Sequence, residues 1–227
     1  MPSQIKPIKV WGKGGANPPK VAIVLEELGL PHDIIDHQIS DVKKPEYLAL
    51  NPNGRLPTIE DPNTDLTLWE SGAIVEYLIE RYDTEHRISF APGTPESAHA
   101  KQWLFFQATG QGPYFGQAAW FKKFHTEQVP SAIERYVKEV NRLVGVLEGH
   151  LAQQKERHDG SDGPWLVGDK CSFADLAFIS WQRVIAMVLS KEDYNEDSYP
   201  HVKAWMDKMT SRGTVKKVLE DAFKQHG

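Results

Sequence analysis

"NPNGRLPTIEDPNTDLTLWESGAIVEYL" spans Asn51–Leu78. Within it, "LPTIED" and "LTLWE" read as two short apolar strands joined by a Pro-Asn-Thr-Asp turn. "SGAIVEYLIERY" then switches to helical spacing, with Ile74 and Leu78, and Val75 and Ile79, one turn apart. A strand–turn–strand–helix run of this kind belongs to an α/β layer. Two features exceed what the layer needs. Pro57 sits where a strand should begin, and the pair Glu70-Ser71 sits at the junction of strand and helix.

Upstream, "IKPIKVWG" reads as a strand. Pro18 and Pro19 open a helix through "KVAIVLEELGL", with Val21, Leu25 and Leu28 on one stripe and Gly29 as its stop. "HDIIDHQI" is a second strand and "PEYLAL" a short helix, so the order is βαβαββα. Downstream the pattern changes. "DTEHRISFAPGTPES" (Asp83–Ser97) lacks a period and carries two prolines. Long apolar-periodic stretches follow, and helices are expected over much of 97–120, 130–157, 172–190 and 199–224, with the polar "RHDGSDGP" separating two of them. The expected organisation is an α/β domain over residues 1–85, a linker over 86–96 and an all-helical domain over 97–227. Ser172-Phe-Ala-Asp175 is an N-cap signal of the capping-box type with Asp in the third helical position. Cys171 precedes that cap, where it can pair with Leu176 as a hydrophobic staple. It reads as a packed thiol, because nothing nearby suggests the electropositive, partly open site that a nucleophile needs.

Composition narrows the function. A chain of 227 residues, 40% hydrophobic and 25% charged, can bury one large core or two modest ones. No run of about 18 apolar residues occurs, so no membrane partner is expected. The opening "MPSQIKPIKV" lacks the apolar centre of a secretory signal. One cysteine excludes an internal disulfide framework and fits a reducing cytoplasm. A formal net charge of −5 argues against nucleic acid as the main partner. Nine histidines are scattered without zinc-ligand spacing, so no metal is expected.

The two unexplained features each have a plain reading and a chemical one. Pro57 can be an ordinary trans turn residue. In cis, it would turn the chain sharply and leave the N–H and C=O of Leu56 facing a groove, where an extended peptide can pair with them. Ser71 can simply begin its helix beside a solvated Glu70. But a helix N-terminus with a hydroxyl suits a carboxylate, and a neighbouring glutamate suits an amine. Together they would hold an α-amino-acid head group. A strand-edge acceptor followed by such a clamp fits a short peptide with a free α-amino-acid end, and glutathione is such a peptide.

Leu56-Pro57, Glu70-Ser71-Gly-Ala-Ile and Ser172-Phe-Ala-Asp175, in that order, make the sequence resemble the cytosolic glutathione transferases. "NPNGRLPTIED", "LWESGAIVEYL" and "QWLFFQATGQGPYFGQAAWF" (Gln102–Phe121) make it similar to the fungal subgroup related to the yeast nitrogen-regulator prion protein. The resemblance covers nearly the whole chain. It implies a thioredoxin-like domain with a cis Leu56–Pro57 bond, an all-helical second domain, and a homodimer. It also implies glutathione as co-substrate, with Leu56 and Pro57 serving its cysteinyl backbone and Glu70 and Ser71 its γ-glutamyl end.

A transferase must also stabilise a thiolate, since a free thiol titrates near 8.5. Many members of the family use Tyr, Ser or Cys after the first strand. Here that loop, "WGKGGANPPK" (Trp11–Lys20), has none of the three. Asn17 is the remaining donor, three residues before Lys20 as in the Pro-Asn-Gly-x-Lys loop of the subgroup. The plainer alternative is an N-cap before Pro18, and the sulfur role is the one favoured. Gly12-Lys-Gly-Gly15 in the same loop lacks the Gly-Lys-Ser/Thr ending of a nucleotide-binding loop. The family position that often carries His or Gln for the glycyl carboxylate falls at Val42, which leaves Lys43 or Lys44 as substitutes. Tyr114, Phe115, Trp120 and Phe121 are candidates for an apolar acceptor pocket, or for core and dimer packing. Gly110, Gly112 and Gly116 suggest a break or a close backbone approach in that stretch.

The expected function is conjugation or exchange of the glutathione thiolate with a small electrophile or disulfide, in detoxification or secondary metabolism. The alternatives are a glutathione-dependent disulfide reductase or peroxidase of the same fold, and a non-catalytic regulatory protein. The last ranks lower because the sequence lacks the Asn/Gln-rich extension of the nitrogen regulator.

Overall fold

The computed structural model describes residues 5–157 and 163–224. Most of the polar segment "RHDGSDGP" therefore lies outside the described residues. The chain divides into two compact units, residues 1–88 with 213–227, and residues 89–212.

The first unit contains a four-stranded sheet in the order β2-β1-β3-β4. Its strands are β1 (Ile8–Trp11), β2 (His32–Ile35), β3 (Thr58–Asp61) and β4 (Leu66–Trp69). β1 pairs with β2 in parallel and with β3 antiparallel, and β3 pairs antiparallel with β4. Helices α1 (Pro18–Leu28), α2 (Pro45–Leu48) and α3 (Ser71–Tyr82) complete the βαβαββα order. This is the thioredoxin-like arrangement expected from the sequence. α1 is apolar on nearly every side because it packs against both α3 and a later helix, α10 (Gly213–Ala222). The end of β3 is fastened to α3 by Asp61, which accepts hydrogen bonds from the hydroxyls of Tyr77 and Tyr82 at 2.6 Å each.

α10 is where sequence and structure part. The expectation assigned everything after residue 97 to one helical domain, yet α10 lies on α1 of the first unit. Val215, Val218 and Leu219 form its buried stripe. Lys217 pairs with Glu26 at 2.7 Å, Lys13 with Asp221 at 3.1 Å, and Thr214 donates to Glu27. An amphipathic helix declares that it must cover an apolar face, but not which one.

The second unit is helical. α4 (Pro95–Phe106) starts at a Thr94 cap, whose hydroxyl oxygen accepts from the Ser97 N–H at 3.2 Å. A π-helical turn (Gln107–Gln111), α5 (Gly112–Ala119) and a second π-helical turn (Trp120–Phe124) follow without a loop. α6 (Pro130–Arg157) buries Val140, Leu143, Val144, Leu147 and Leu151 along one stripe. α7 (Phe173–Leu176), α8 (Ile179–Val188) and α9 (Pro200–Thr210) close the unit. The box foreseen at Ser172 is present, for Asp175 Oδ2 accepts from both the N–H and the hydroxyl of Ser172 at 2.9 Å. Cys171 is buried beside it. No helix among the described residues is long and apolar enough to cross a membrane.

Candidate functional site

The turn that precedes β3 is set by side chains buried beneath it. The Asn51 amide donates to the carbonyl of Arg55 at 2.8 Å, and its oxygen accepts from the Asn53 N–H at 2.9 Å. The Tyr47 hydroxyl donates to the same Arg55 carbonyl at 2.8 Å and lies 2.7 Å from Thr58 Oγ1. With both ends held, the chain enters β3 through a cis Leu56–Pro57 bond. The β1–β3 pairing begins at Trp11↔Thr58, so the peptide groups of Leu56 lie outside the ladder. Gly12 explains how β1 ends so close to this point. Its φ is +103°, and a Cβ there would lie 3.0 Å from Leu56 Cβ and 3.1 Å from Pro18 Cγ.

At the far end of the hairpin, β4 passes into α3 through Glu70. This residue has φ +69° and ψ 110°, a sparsely populated conformation for a residue with a Cβ. Such a corner costs on the order of 1–3 kcal/mol. Glu70 is the N-cap, and its side chain does not cap the helix. It is exposed, with Oε1 3.3 Å from the Asn53 amide nitrogen. Ser71, the first helical residue, is buried at 9% exposure.

What faces Ser71 was not singled out from the sequence. Lys20 is 1% exposed, and its ammonium donates to Ser71 Oγ at 2.9 Å and to Asn17 Oδ1 at 3.3 Å. Burial pulls this amine from its usual 10.5 down to about 7, with the charge of Glu70 opposing the shift. Lysines are almost never fully buried unless paired with an acid, and here both acceptors are neutral. The sequence did carry a partial signal: "KVAIVL" puts five apolar residues in a row directly after the lysine, more than one exposed-face helix needs.

Asn17 is half-buried at the N-cap of α1 but makes no side-chain cap hydrogen bond. Its carboxamide oxygen faces Lys20 instead, which directs its N–H groups away from that ammonium. Lys43 donates to the Asn53 carbonyl at 2.9 Å, so Asn53 stands between Lys43 and Glu70, and no sequence signal marked it. Lys44 pairs with Asp41 at 2.8 Å on the exposed surface, outside this group.

The candidate acceptor residues belong to the second unit. Phe115 is fully buried in its core. Tyr114 and Phe121 face Tyr136 of α6, with ring centroids 6.3 Å and 5.6 Å from it. Trp120 is 49% exposed. The glycine-rich stretch holds the break as a π-helical turn, and the close approach at Gly116, whose Cβ position is 3.2 Å from the Trp181 ring.

Residues 17–81 match the glutathione S-transferase N-terminal domain, and residues 112–213 match the glutathione S-transferase C-terminal domain. The chain belongs to the glutathione S-transferase family. The glutathione S-transferase-like protein gedE of Aspergillus terreus is 65% identical over 218 residues, covering 96% of each chain. The glutathione transferase URE2P6 of Phanerochaete chrysosporium, solved in complex with oxidized glutathione, is 44% identical with a TM-score of 0.88 and covers 96% of this chain and 97% of its own. The transcriptional regulator URE2 of Saccharomyces cerevisiae is 35% identical over 228 residues, covering 88% of this chain and 64% of the regulator. These relatives place the chain beside the Ure2-type glutathione transferases, the subgroup its motifs resemble.

Proposed function

We propose that this glutathione S-transferase binds glutathione in its first unit and transfers the thiolate to a small apolar electrophile. The observation that carries the reading is the cluster at the head of α3, where strained Glu70, buried Ser71 and buried Lys20 meet. Glu70 receives the α-amine of the γ-glutamyl group. Ser71 Oγ accepts from Lys20, so its own O–H is left to donate to the α-carboxylate, reinforced by the first N–H groups of α3. Leu56 pairs with the cysteinyl backbone from outside the sheet ladder, with cis Pro57 setting its direction. Lys43, steadied by Asn53, serves the glycyl carboxylate.

Asn17 donates an amide N–H to the sulfur. A hydrogen bond to a charged group contributes about 1.5–3 kcal/mol, which lowers a thiol pKa by roughly one to two units. In conjugation the thiolate's electron pair forms the carbon–sulfur bond, the leaving group departs with the electrons of its own bond, and the thiol proton passes to solvent. Tyr114, Trp120 and Phe121 supply the apolar acceptor surface. A homodimer is supported by the exposed rings of Phe105 and Phe124, 57% and 66% exposed, and a cytoplasmic location by the use of a single cysteine.

A second reading, glutathione-dependent disulfide reduction, is favoured by the oxidized glutathione in the URE2P6 structure and by the single, buried Cys171. With no second protein thiol, glutathione itself would supply both sulfurs. Titration calorimetry with glutathione tests the shared binding step. Ser71→Ala should weaken affinity about 10- to 100-fold, and unchanged affinity would remove the clamp. Assays with electrophiles and mixed disulfides then separate the two reactions.

A further inference from the structure

We infer that Lys20 is the positioning counter-charge for the ligand's α-carboxylate, and that this site takes up the carboxylate together with a proton. The inference rests on the glutathione reading above and goes beyond it, since there Lys20 only orients the Ser71 hydroxyl. Lys20 lies in the first turn of α1, 1% exposed, held by two neutral oxygens, Ser71 Oγ and Asn17 Oδ1. An ammonium has three donors, so a third N–H has no partner among the described residues.

Several charged groups of α1 and α10 are engaged with one another. On α1, Glu26 pairs with Lys217 of α10 and lies 3.6 Å from His32, and Glu27 accepts from Thr214. On α10, Asp221 pairs with Lys13. Glu70 is the one carboxylate acting on Lys20, from an exposed position at the corner. The buried amine therefore lies beneath a helix N-terminus with no carboxylate among its hydrogen-bond partners. A carboxylate arriving at α3 through Ser71 is the group that balances it.

The proton follows from the same geometry. Burial holds the empty-site amine near 7, so above neutrality it is largely uncharged. A bound carboxylate favours the ammonium and raises its pKa. Between the free and the bound value, binding draws one proton from solvent, and affinity falls as pH rises through that window. Below pH 7 the amine is already charged and the dependence vanishes. The glutathione thiol would release a proton of its own and mask this uptake, so the probe is S-methylglutathione.

Calorimetry of S-methylglutathione at pH 7.5, in buffers of different ionisation enthalpy, counts protons directly. The full-length wild type should take up at least about half a proton per site. Lys20→Arg, permanently charged, and Lys20→Met, never charged, should take up none. From pH 7 to 8.5 the wild-type affinity should fall by up to about tenfold per unit relative to Lys20→Arg, a comparison that cancels titration of the ligand's own amine. Binding by wild type with no proton uptake overturns the role of Lys20 and leaves the glutathione reading standing. Failure of wild type to bind either glutathione or S-methylglutathione overturns both. If either variant does not fold, as circular dichroism would report, the wild-type proton count alone decides.

Discussion

Two helix starts in this molecule look alike in sequence and do opposite things. At α7, Ser172 opens a box closed by Asp175, a fully buried acid that accepts from the Leu166 N–H at 2.8 Å, the Ser172 N–H and hydroxyl at 2.9 Å each, and the Trp205 indole at 3.0 Å. Burial pushes the Asp175 carboxyl pKa up, and the four donors oppose it. At α3, Ser71 has Ile74 three residues on, no box forms, and the polar group brought to its side is an amine 1% exposed. One start satisfies its polar atoms from within and so fixes a fold. The other leaves a cation, a hydroxyl and a strained glutamate for something that arrives later. A closed polar network is structural because nothing remains for it to bind.

Stability should separate the two most sharply. Asp175→Ala leaves the Leu166, Ser172 and Trp205 donors unpaired in the core and should cost about 3–5 kcal/mol. In a chain of this size that lowers Tm by roughly 6–20 °C in a thermal scan. Ser71→Ala should cost well under half as much while weakening the ligand. Equal losses of stability at the two positions would dissolve the contrast.

Chemistry comes next. Asn17→Ala should raise the thiol pKa of bound glutathione by about one to two units, read as thiolate absorbance across pH. The lost hydrogen bond favours the anion, so the rate deficit should be large near pH 6.5 and narrow once pH exceeds the variant's pKa. A variant curve that overlays wild type would move thiolate stabilisation elsewhere, with Lys20 the next cation to test.

The smallest effect concerns the corner itself. Glu70→Gly relieves the positive φ that Glu70→Ala retains, so the glycine variant should be the more stable by about 1 kcal/mol in urea unfolding, although both lose the carboxylate. Alanine matching glycine would mean the corner holds no strain.

Local rules carried much of this. The alternation of β3 and β4, the Pro-Asn-Thr-Asp turn and the period of α3 are short-range signals, and the order βαβαββα followed from them. Glu70 and Ser71 were legible as a pair because a polar couple between two apolar elements is conspicuous. The backbone angle of Glu70 was not, since no residue but glycine advertises a positive φ. Lys20 escaped because lysines on helices are usually solvated. Its burial depends on α3 and α10 covering two sides of α1, and the second of those lies at the other end of the sequence. Asn53 escaped because its partners, Lys43 and Glu70, are brought to it only by the fold.

The attachment of α10 to α1 sets an order in time. As the chain is synthesised, Asn17, Leu56, Glu70 and Ser71 leave the ribosome well before Lys217 and Asp221, which fasten Glu26 and the Lys13 loop. The unit that carries the candidate site therefore stays unfinished while the whole helical unit is translated and can fold. A nascent chain halted before Gly213 would hold every proposed glutathione-binding residue and still have the apolar face of α1 bare. That face is a surface for chaperones to cover and for proteases to find, until α10 closes it.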